Sequence, residues 1–256
     1  MKQKITMPQI LSALVAVVGL VLTLVTRNAA IRETASPQDK MFFALSLIAL
    51  VAGVALLLAN LRPHSKTNVR TLTMAAMFAA LCYIGFAFLR IDIPVGTEKT
   101  AFHLGNVFCV LAALFLGGMW GGMSGAVGLT IADLTSGYVT SAPKTFLLKL
   151  CIGLISGFVA HKLFHISEEK NRKVPLSVAT VLSCAAGMAF NMVADPVVGY
   201  FYKTYVLGVP QDAAKIWAKI GALTTSVNAV IAVIVASVLY LALRPALKRS
   251  GLMPKI

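Results

Sequence analysis

Four of the charged side chains inside long apolar stretches of the sequence are candidates for binding a solute. Two are carboxylates, Asp133 and Asp195, and two are ammonium groups, Lys144 and Lys149. Charges within a membrane-spanning segment are energetically costly, and they usually face a bundle interior or a water-filled cavity where they serve ions or solutes. Groups of both signs in neighbouring segments therefore predict charge pairing and hydrogen bonding to a small polar solute.

Neutral polar groups at similar depth extend this set. The full candidate solute site comprises His103, Asn106, Asp133, Tyr138, Lys144, Asn191, Asp195 and Asn228. Mispaired polar groups in a partly desolvated cavity are costly, so such a site would be selective. Lys149 lies deeper and is expected to pair with Asp133. For any one of these residues the alternative is an ordinary helix-end group that pairs with a neighbour or a lipid headgroup.

The sequence lacks the motifs of nucleotide binding, metal binding and proteolysis. There is no GxxxxGK[ST] loop for ATP, no HExxH, and no Cys/His spacing typical of a metal site. The four cysteines are far apart in apolar stretches and are interpreted as small buried residues. The segment Gly122-Met-Ser124-Gly125 matches the GxSG of intramembrane serine proteases, but no histidine is expected at its depth. We therefore predict no catalytic residue, no metal and no cofactor.

The composition indicates which kind of secondary structure positions these polar groups. Of 256 residues, 58% are hydrophobic and 12% are charged, and the mean hydropathy is +0.84. Soluble chains are nearer half apolar and a quarter charged. The apolar residues fall in blocks, which excludes a soluble enzyme, a disordered tail, a secreted disulfide scaffold and an alternating β-barrel. The sequence predicts an all-α membrane protein in the lipid bilayer.

Eight apolar blocks are candidate membrane spans; a full span needs about 20 residues, and shorter spans are stable when they pack against protein. They are Met7–Thr26, Met41–Leu61, Val69–Leu89, Phe102–Leu116, Gly118–Thr135, Pro143–Leu163, Pro175–Phe201 and Ile216–Leu243. The first is kept as a helix because no convincing signal-peptide cleavage site follows it.

Positive charge sets the predicted orientation. The net charge of +14 comes from lysines and arginines beside the apolar blocks, which favours the positive-inside rule over nucleic-acid binding. The basic segments 62–70, 161–173 and 244–255 then share the cytoplasmic side, and both termini are cytoplasmic. The segment 62–70 also divides an N-terminal transmembrane hairpin with its linker (1–66) from a six-helix substrate-binding core (67–256).

Small residues recur every fourth position in two places. Glycines from Gly117 to Gly128, with Gly153 and Gly157, predict close helix packing, and glycine-interrupted short spans also occur where backbone lines a binding site. The predicted fourth and fifth spans are joined by almost no loop. Near the start of the third span, a flat strip suited to docking another helix is formed by Ala75, Ala76, Ala79 and Ala80.

An ordered series of these features carries a family resemblance. It runs through Phe102-His-Leu-Gly-Asn106, Leu111-Ala-Ala-Leu-Phe-Leu-Gly117, Gly121…Gly125…Gly128, Ala132-Asp133-Leu…Ser136-Gly-Tyr138 and Ala142-Pro-Lys-Thr-Phe146…Lys149…Gly153…Gly157. The chain from about Arg70 to its C-terminus resembles the substrate-binding S components of energy-coupling factor (ECF) vitamin transporters.

The resemblance implies a six-helix bundle whose binding site lies near the outer surface under outer loops. It also implies two kinds of partner, a transmembrane coupling protein and two cytoplasmic ATPases. The family's docking alanines would be Ala75 and Ala79, or Ala76 and Ala80. The chain departs from the family in its two extra N-terminal helices, and in Lys144 where a small residue is expected.

We therefore expect a multi-pass subunit of a prokaryotic plasma membrane that binds and transports a vitamin-like metabolite. Riboflavin, pyridoxine, thiamine-like and hydroxymethylpyrimidine-like compounds remain open as solutes. The alternative is a self-sufficient secondary transporter with a proton or sodium site at Asp133 or Asp195, which the absence of a visible inverted repeat disfavours. An enzyme is disfavoured because the sequence places no nucleophile and base at the same depth. A scaffold is disfavoured because it would not need charged residues within the membrane.

Overall fold

The computed structural model describes residues 69–96, 98–168 and 174–253. The chain divides into two units, with the boundary between His64 and Ser65, and all described residues belong to the second unit. The predicted spans Met7–Thr26 and Met41–Leu61 lie outside the described residues, so the expected count of eight helices stays a prediction. The described residues form five long helices and a two-stranded sheet, in the order α1 (Val69–Ala87), β1 (Arg90–Val95), β2 (Glu98–His103), α2 (Gly105–Thr135), α3 (Ala142–Phe158), α4 (Leu176–Phe201) and α5 (Gln211–Arg249).

Five described segments are long and apolar enough to cross a membrane. These are Val69–Ala87, Gly105–Thr135, Val139–Leu163, Leu176–Val206 and Gln211–Arg249. Two of them end in a wider, π-helical turn, at Val159–Leu163 and at Tyr202–Val206. The predicted multi-pass helical membrane protein is confirmed for this part of the chain.

Helix α2 is not straight but reverses at Gly117. This glycine has φ 80° and ψ 171°, a backbone conformation that side chains with a Cβ rarely adopt. A Cβ on Gly121 would lie 2.3 Å from Cα of Ala113, although residues eight apart in a straight helix are about 12 Å apart. The two halves, 105–116 and 118–135, are therefore antiparallel neighbours. This division lies where the sequence separated its fourth and fifth spans, and with it the described part contains six helical segments.

Glycines also bring the second half of α2 against α3. A Cβ on Gly153 would lie 2.2 Å from Cα of Gly122, and one on Gly157 would lie 2.2 Å from the backbone nitrogen of Gly118. Without side chains at these positions the two backbones touch, as small residues four apart allow in lipid. Packing at this interface thus explains Gly118, Gly122, Gly153 and Gly157.

Aromatic side chains fill the centre of the bundle, where α1, α2 and α5 meet. The rings of Phe78 and Phe115 stack at 6.0 Å, and Phe115 lies 4.7 Å from the ring of Tyr240. Phe115 and Tyr240 are fully buried. Burial of such rings contributes more apolar area than any other residue type, so they fix the arrangement of the three helices.

A β-hairpin replaces part of the predicted loop and helix. Residues Arg90–Ala101 were expected as a loop and Phe102 as the start of a span, but β1 and β2 pair antiparallel with Arg90 opposite His103. The apolar residues Ile91, Ile93 and Val95 alternate with other residue types, a period of two that favours a strand. Helix α2 therefore begins only at Gly105.

The hairpin lies at the end of the bundle where α1 and the second half of α2 finish. Lys99 of β2 donates to the backbone oxygen of Ser136 at 3.1 Å, just after α2. Thr100 of β2 and Thr224 of α5 share a hydroxyl–hydroxyl hydrogen bond of 2.9 Å. The hairpin is thus attached both to the α2–α3 connection and to α5.

Candidate functional site

A cavity of about 140 Å³ opens at this end, between the hairpin and helices α2 to α5. All eight residues of the solute site expected from the sequence line it: His103, Asn106, Asp133, Tyr138, Lys144, Asn191, Asp195 and Asn228. They come from β2, both halves of α2, the α2–α3 connection, α3, α4 and α5. The structure therefore brings the whole expected set together around one space.

Asp195 on α4 is satisfied by the protein itself. One of its oxygens accepts from the Lys144 ammonium on α3 at 2.7 Å, and the other accepts from the Thr225 hydroxyl on α5 at 2.8 Å. The ion pair is largely enclosed, with side-chain exposures of 13% for Lys144 and 22% for Asp195. This cluster connects three helices, and it gives the unexpected Lys144 a partner within the chain.

Asp133 and Asn106 differ from Asp195 because each keeps a buried oxygen without a partner. Asp133 is 4% exposed and Asn106 is 2% exposed, and neither Asp133 Oδ2 nor Asn106 Oδ1 accepts a hydrogen bond. A buried acceptor left unpaired costs about 1–3 kcal/mol. These two side chains are therefore lining residues with hydrogen-bonding capacity that the protein itself leaves unused.

Lys149 lies beside this pair but is not bonded to Asp133 as expected. Its ammonium nitrogen is 3.5 Å from Oδ1 of Asn191, and the side chain is 8% exposed. The distance is at the long limit for a hydrogen bond, so the ammonium keeps donor capacity. Lys149 and Asn191 thus add hydrogen-bond donors to the lining of the same cavity.

His103 contributes a neutral ring. Its Nδ1 accepts from the backbone N–H of Gly105 at 3.1 Å, which leaves the proton of the neutral imidazole on Nε2. Burial and the nearby Lys149 charge lower the pKa of His103 to about 3. At neutral pH this side chain can therefore donate from Nε2 without carrying a charge.

Two residues that line the cavity, Lys99 and Tyr138, are held by a cluster around Asp92, on β1. Asp92 accepts from Arg90 at 2.9 Å, from the Tyr138 hydroxyl at 2.9 Å and from Lys99 at 3.3 Å. Burial acts to raise the pKa of Asp92, but the Tyr138 hydrogen bond and the two cations lower it overall. The ring of Tyr138 packs edge-on against Phe86 at 5.4 Å. The hydroxyl of Tyr138 is thus used within the protein, and its ring is what the cavity receives.

Asn228 is also occupied by the protein. Its Oδ1 accepts from the backbone N–H of His103 and its Nδ2 donates to the backbone oxygen of Ala101, both at 3.0 Å. The amide therefore pairs with β2 as a neighbouring strand would. Asn228 borders the cavity while holding its wall.

Three further lining residues were not expected from the sequence. Lys203 and Trp217 form one unit, with the ammonium 4.4 Å from the ring centre, and Lys99 lies over the ring of Tyr138 at 4.6 Å. Trp217 falls inside an apolar span, where its hydropathy indicates lipid contact as readily as a cavity. The alternation of residues 91–95 was the available signal, since it predicts the hairpin that brings Lys99 here.

Comparison with known families identifies the chain. The family model for the S component of ECF-type riboflavin transporters matches residues 66–245. The chain belongs to this family. The resemblance found in the sequence is confirmed, and an S component is a membrane transport subunit, not a member of an enzyme class. No curated protein and no solved structure matches the chain.

The family match covers every element of the cavity. It begins at residue 66, so the predicted N-terminal spans precede it, and it ends within α5. The cavity of this S component therefore lies wholly in the part that the family shares.

Proposed function

We propose that this S component binds a vitamin or related small metabolite in the cavity and carries it across a prokaryotic plasma membrane within an ECF-type importer. The observation that carries the proposal is the cavity itself, which gathers the polar side chains of an otherwise apolar bundle and leaves two buried acceptors unpaired. An isolated membrane protein has little reason to keep such groups unless a solute meets them.

Orientation follows from the basic residues. The end of the described bundle opposite the cavity carries Arg70, Lys162, Arg244, Lys248 and Arg249. Lysine and arginine beside membrane segments favour the cytoplasm. The cavity then opens to the outside, where an importer captures its solute, and the C-terminus is cytoplasmic.

Energy would come from partners, a transmembrane coupling protein and two cytoplasmic ATPases, because the sequence has no phosphate-binding loop of its own.

The sequence left two pairs of alanines, Ala75 with Ala79 or Ala76 with Ala80, as candidates for docking on the coupling protein. Ala75 is buried, and its carbonyl accepts from Ser124 at 2.9 Å, while the carbonyl of Ala79 lies against Gly128. Ala76 and Ala80 are exposed. The second register is therefore the one we assign to the coupling protein.

Bulky residues on this strip test the proposal. Ala76→Trp combined with Ala80→Trp should leave solute binding by the purified chain unchanged and abolish both co-purification with the coupling protein and uptake by cells. Ala189→Trp, at an exposed alanine on α4, is the matched control and should retain all three. Uptake that survives the double substitution and depends on sodium or pH would instead establish a self-sufficient secondary transporter.

A further inference from the structure

A histidine from another segment caps the first half of α2 (105–116) at the end opposite the cavity. Carbonyls in the last turn of a helix depend on partners from outside that helix, and Ala113 belongs to the last turn before Gly117. The carbonyl of Ala113 accepts from Nε2 of His161 at 3.1 Å. Ala113 is fully buried, so this hydrogen bond is shielded from water.

A second hydrogen bond orients the imidazole of His161. A carbonyl only accepts, so the proton that bonds Ala113 lies on Nε2, and Nδ1 of the neutral ring is an acceptor. The hydroxyl of Ser167 lies 2.8 Å from Nδ1 and donates to it. His161 lies in the π-helical turn Val159–Leu163, and Ser167 lies in the connection that follows. The ring is thus fixed in tautomer and in direction.

The connection that carries Ser167 is itself anchored in the bundle. Ile166 is fully buried, its N–H donates to the carbonyl of Ala160 at 3.0 Å, and its own carbonyl accepts from Arg244 of α5 at 3.1 Å. His165 has φ 50°, a left-handed conformation that residues with a Cβ rarely adopt and that persists where surrounding contacts impose it. Ser167 is therefore a fixed partner for the ring.

The other end of the capped half lies at the cavity. Of residues 105–116, all of which the structure describes, only Asn106 lines the cavity. Asn106 and Ala113 are seven residues apart, close to two full turns, so they share a face of the helix about 10 Å apart along its axis. Apolar contacts, which hold most of this half, are non-directional. The directional bond to His161 therefore adds a fixed depth and rotation, and the helix transmits both to Asn106.

We infer that His161 is a positioning residue for the solute site: its bond to the carbonyl of Ala113 holds Asn106 at the depth and rotation at which Asn106 meets the solute. Ser167 supports the same function by orienting the imidazole. The inference rests on the proposed function, since it concerns the same cavity. It assigns a function in solute binding to residues at the opposite end of the bundle.

Titrations of the purified full chain in detergent test this positioning. The probes are riboflavin, followed by its fluorescence, and pyridoxine, thiamine and 4-amino-5-hydroxymethyl-2-methylpyrimidine, followed by calorimetry. The probe that binds most tightly is used with every variant. His161→Leu removes the donor and should weaken binding roughly fivefold or more, because small displacements of a binding group are costly. His161→Gln keeps an N–H donor and should bind within about twofold of the parent chain.

Ser250→Ala is the matched control. It removes a side-chain hydrogen bond to a carbonyl near the end of α5, at the same end of the bundle, without touching the first half of α2. The affinity for the probe should be unchanged.

A double-mutant cycle separates positioning from a merely structural function. Asn106→Leu should itself weaken the probe, and adding His161→Leu should weaken it no further, because the cap acts through Asn106. An equal loss of affinity from His161→Leu in both backgrounds would overturn the inference. So would a loss that His161→Gln does not recover.

Ser167→Ala takes the place of His161→Leu if that variant does not fold, because Ser167 is exposed and its removal leaves the bond to Ala113 possible. It should weaken the probe roughly twofold or more in the parent chain and not at all in the Asn106→Leu background. Unchanged affinity in the parent chain would contradict the inference.

The outcomes also separate this inference from the proposed function. Tight binding that is insensitive to His161 and Ser167 would overturn the positioning and leave the importer subunit standing. Failure of the parent chain to bind any of the four probes would overturn the proposed function, and the inference with it.

Discussion

Asn228 on α5 bonds through both ends of its side-chain amide to the backbone of β2, with His103 N–H donating to it at 3.0 Å. A single side chain thus takes the place of a neighbouring strand. The inner strand of the hairpin would otherwise leave an N–H and a C=O unpaired at the cavity wall, each costing about 1–3 kcal/mol. The position of the hairpin over the cavity therefore depends on this residue.

Asn228→Leu keeps the size of the side chain and removes both hydrogen bonds. We expect the solute affinity to fall at least tenfold and amide exchange in residues 98–103 to accelerate, because β2 is released from α5. Hydrogen exchange by mass spectrometry and calorimetry measure the two effects. Ser226→Ala, which affects only a hydroxyl bonded within its own helix, is the control. Unchanged exchange in β2 would show that Thr100 and Thr224 suffice to hold the hairpin.

Gly153→Ala should separate two helices that now touch. Its Cβ would lie 2.2 Å from Cα of Gly122, so the backbones of α2 and α3 must move apart. We expect the melting temperature in detergent to fall by roughly 2–12 °C, or the folded yield to collapse, since overpacking costs about 1–3 kcal/mol and each kcal/mol lowers the melting temperature of a chain of this size by about 2–4 °C.

Gly221→Ala is the matched control for this substitution. Nothing lies within 4 Å of a Cβ at Gly221, and alanine is about 1 kcal/mol better than glycine inside a helix. Stability should be unchanged or higher. Equal losses from both alanines would mean that the glycine contacts between α2 and α3 do not limit packing.

The Lys144–Asp195 pair should behave as one unit. Lys144→Met leaves the enclosed Asp195 carboxylate without its cation and should destabilise the protein by roughly 3 kcal/mol. Adding Asp195→Leu should recover most of that loss, because no charge is then left unpaired. Urea unfolding in micelles of the two single variants and the double variant gives the coupling energy. Additive losses would contradict the pairing.

Stability should fall in mild acid because of His103. The pKa of its ring is lowered to about 3, whereas an unfolded histidine titrates near about 6.5. Between these values the unfolded chain binds the extra proton, so the stabilisation is complete above about pH 6.5 and decreases as the pH falls, by at most about 1.4 kcal/mol per unit. Melting temperatures between pH 6.5 and 4.5 measure this slope.

A substitution assigns that slope to the imidazole. His103→Asn retains an acceptor for the Gly105 N–H but does not titrate, so the slope should become shallower by about one proton. Asp92, whose pKa is lowered, contributes only as the pH falls below about 4, outside the measured window. A slope identical to that of the parent protein would remove His103 as its source.

Within the described residues hydropathy was sufficient to predict the long helices, because a bilayer requires every spanning backbone group to bond within its own segment. Charged and amide residues inside those spans were sufficient to predict six residues that border the cavity, but they did not predict Lys99, Lys203 and Trp217. The roles within the cavity were not predictable. Asp133 and Asp195 have the same chemistry, and only their neighbours, Thr225 and Lys144 for Asp195, decide which one is left with an unpaired oxygen.

The hairpin and the docking register could not be predicted from the sequence for a different reason. Six-residue strands are short, and Pro94 weakens the strand pattern of β1, so the alternation predicts a strand less strongly than the apolar blocks predict helices. The alanines at 75, 76, 79 and 80 lie close around one turn of helix. Which pair faces outward depends on the rotation of α1, and that is set by contacts with Ser124 and Gly128, far away in sequence.

The reversal at Gly117 divides α2 unequally, into twelve residues before it and eighteen after it. At 1.5 Å per residue the first half falls short of the second by about 9 Å, and the vacated length at the top of the bundle is where the hairpin and the solute site lie. The depth of the solute site within the bundle is therefore set by the number of residues in the first half of α2. Four residues inserted between Asn106 and Gly117 would raise the floor by about 6 Å and close the site, whereas a shorter first half would deepen it.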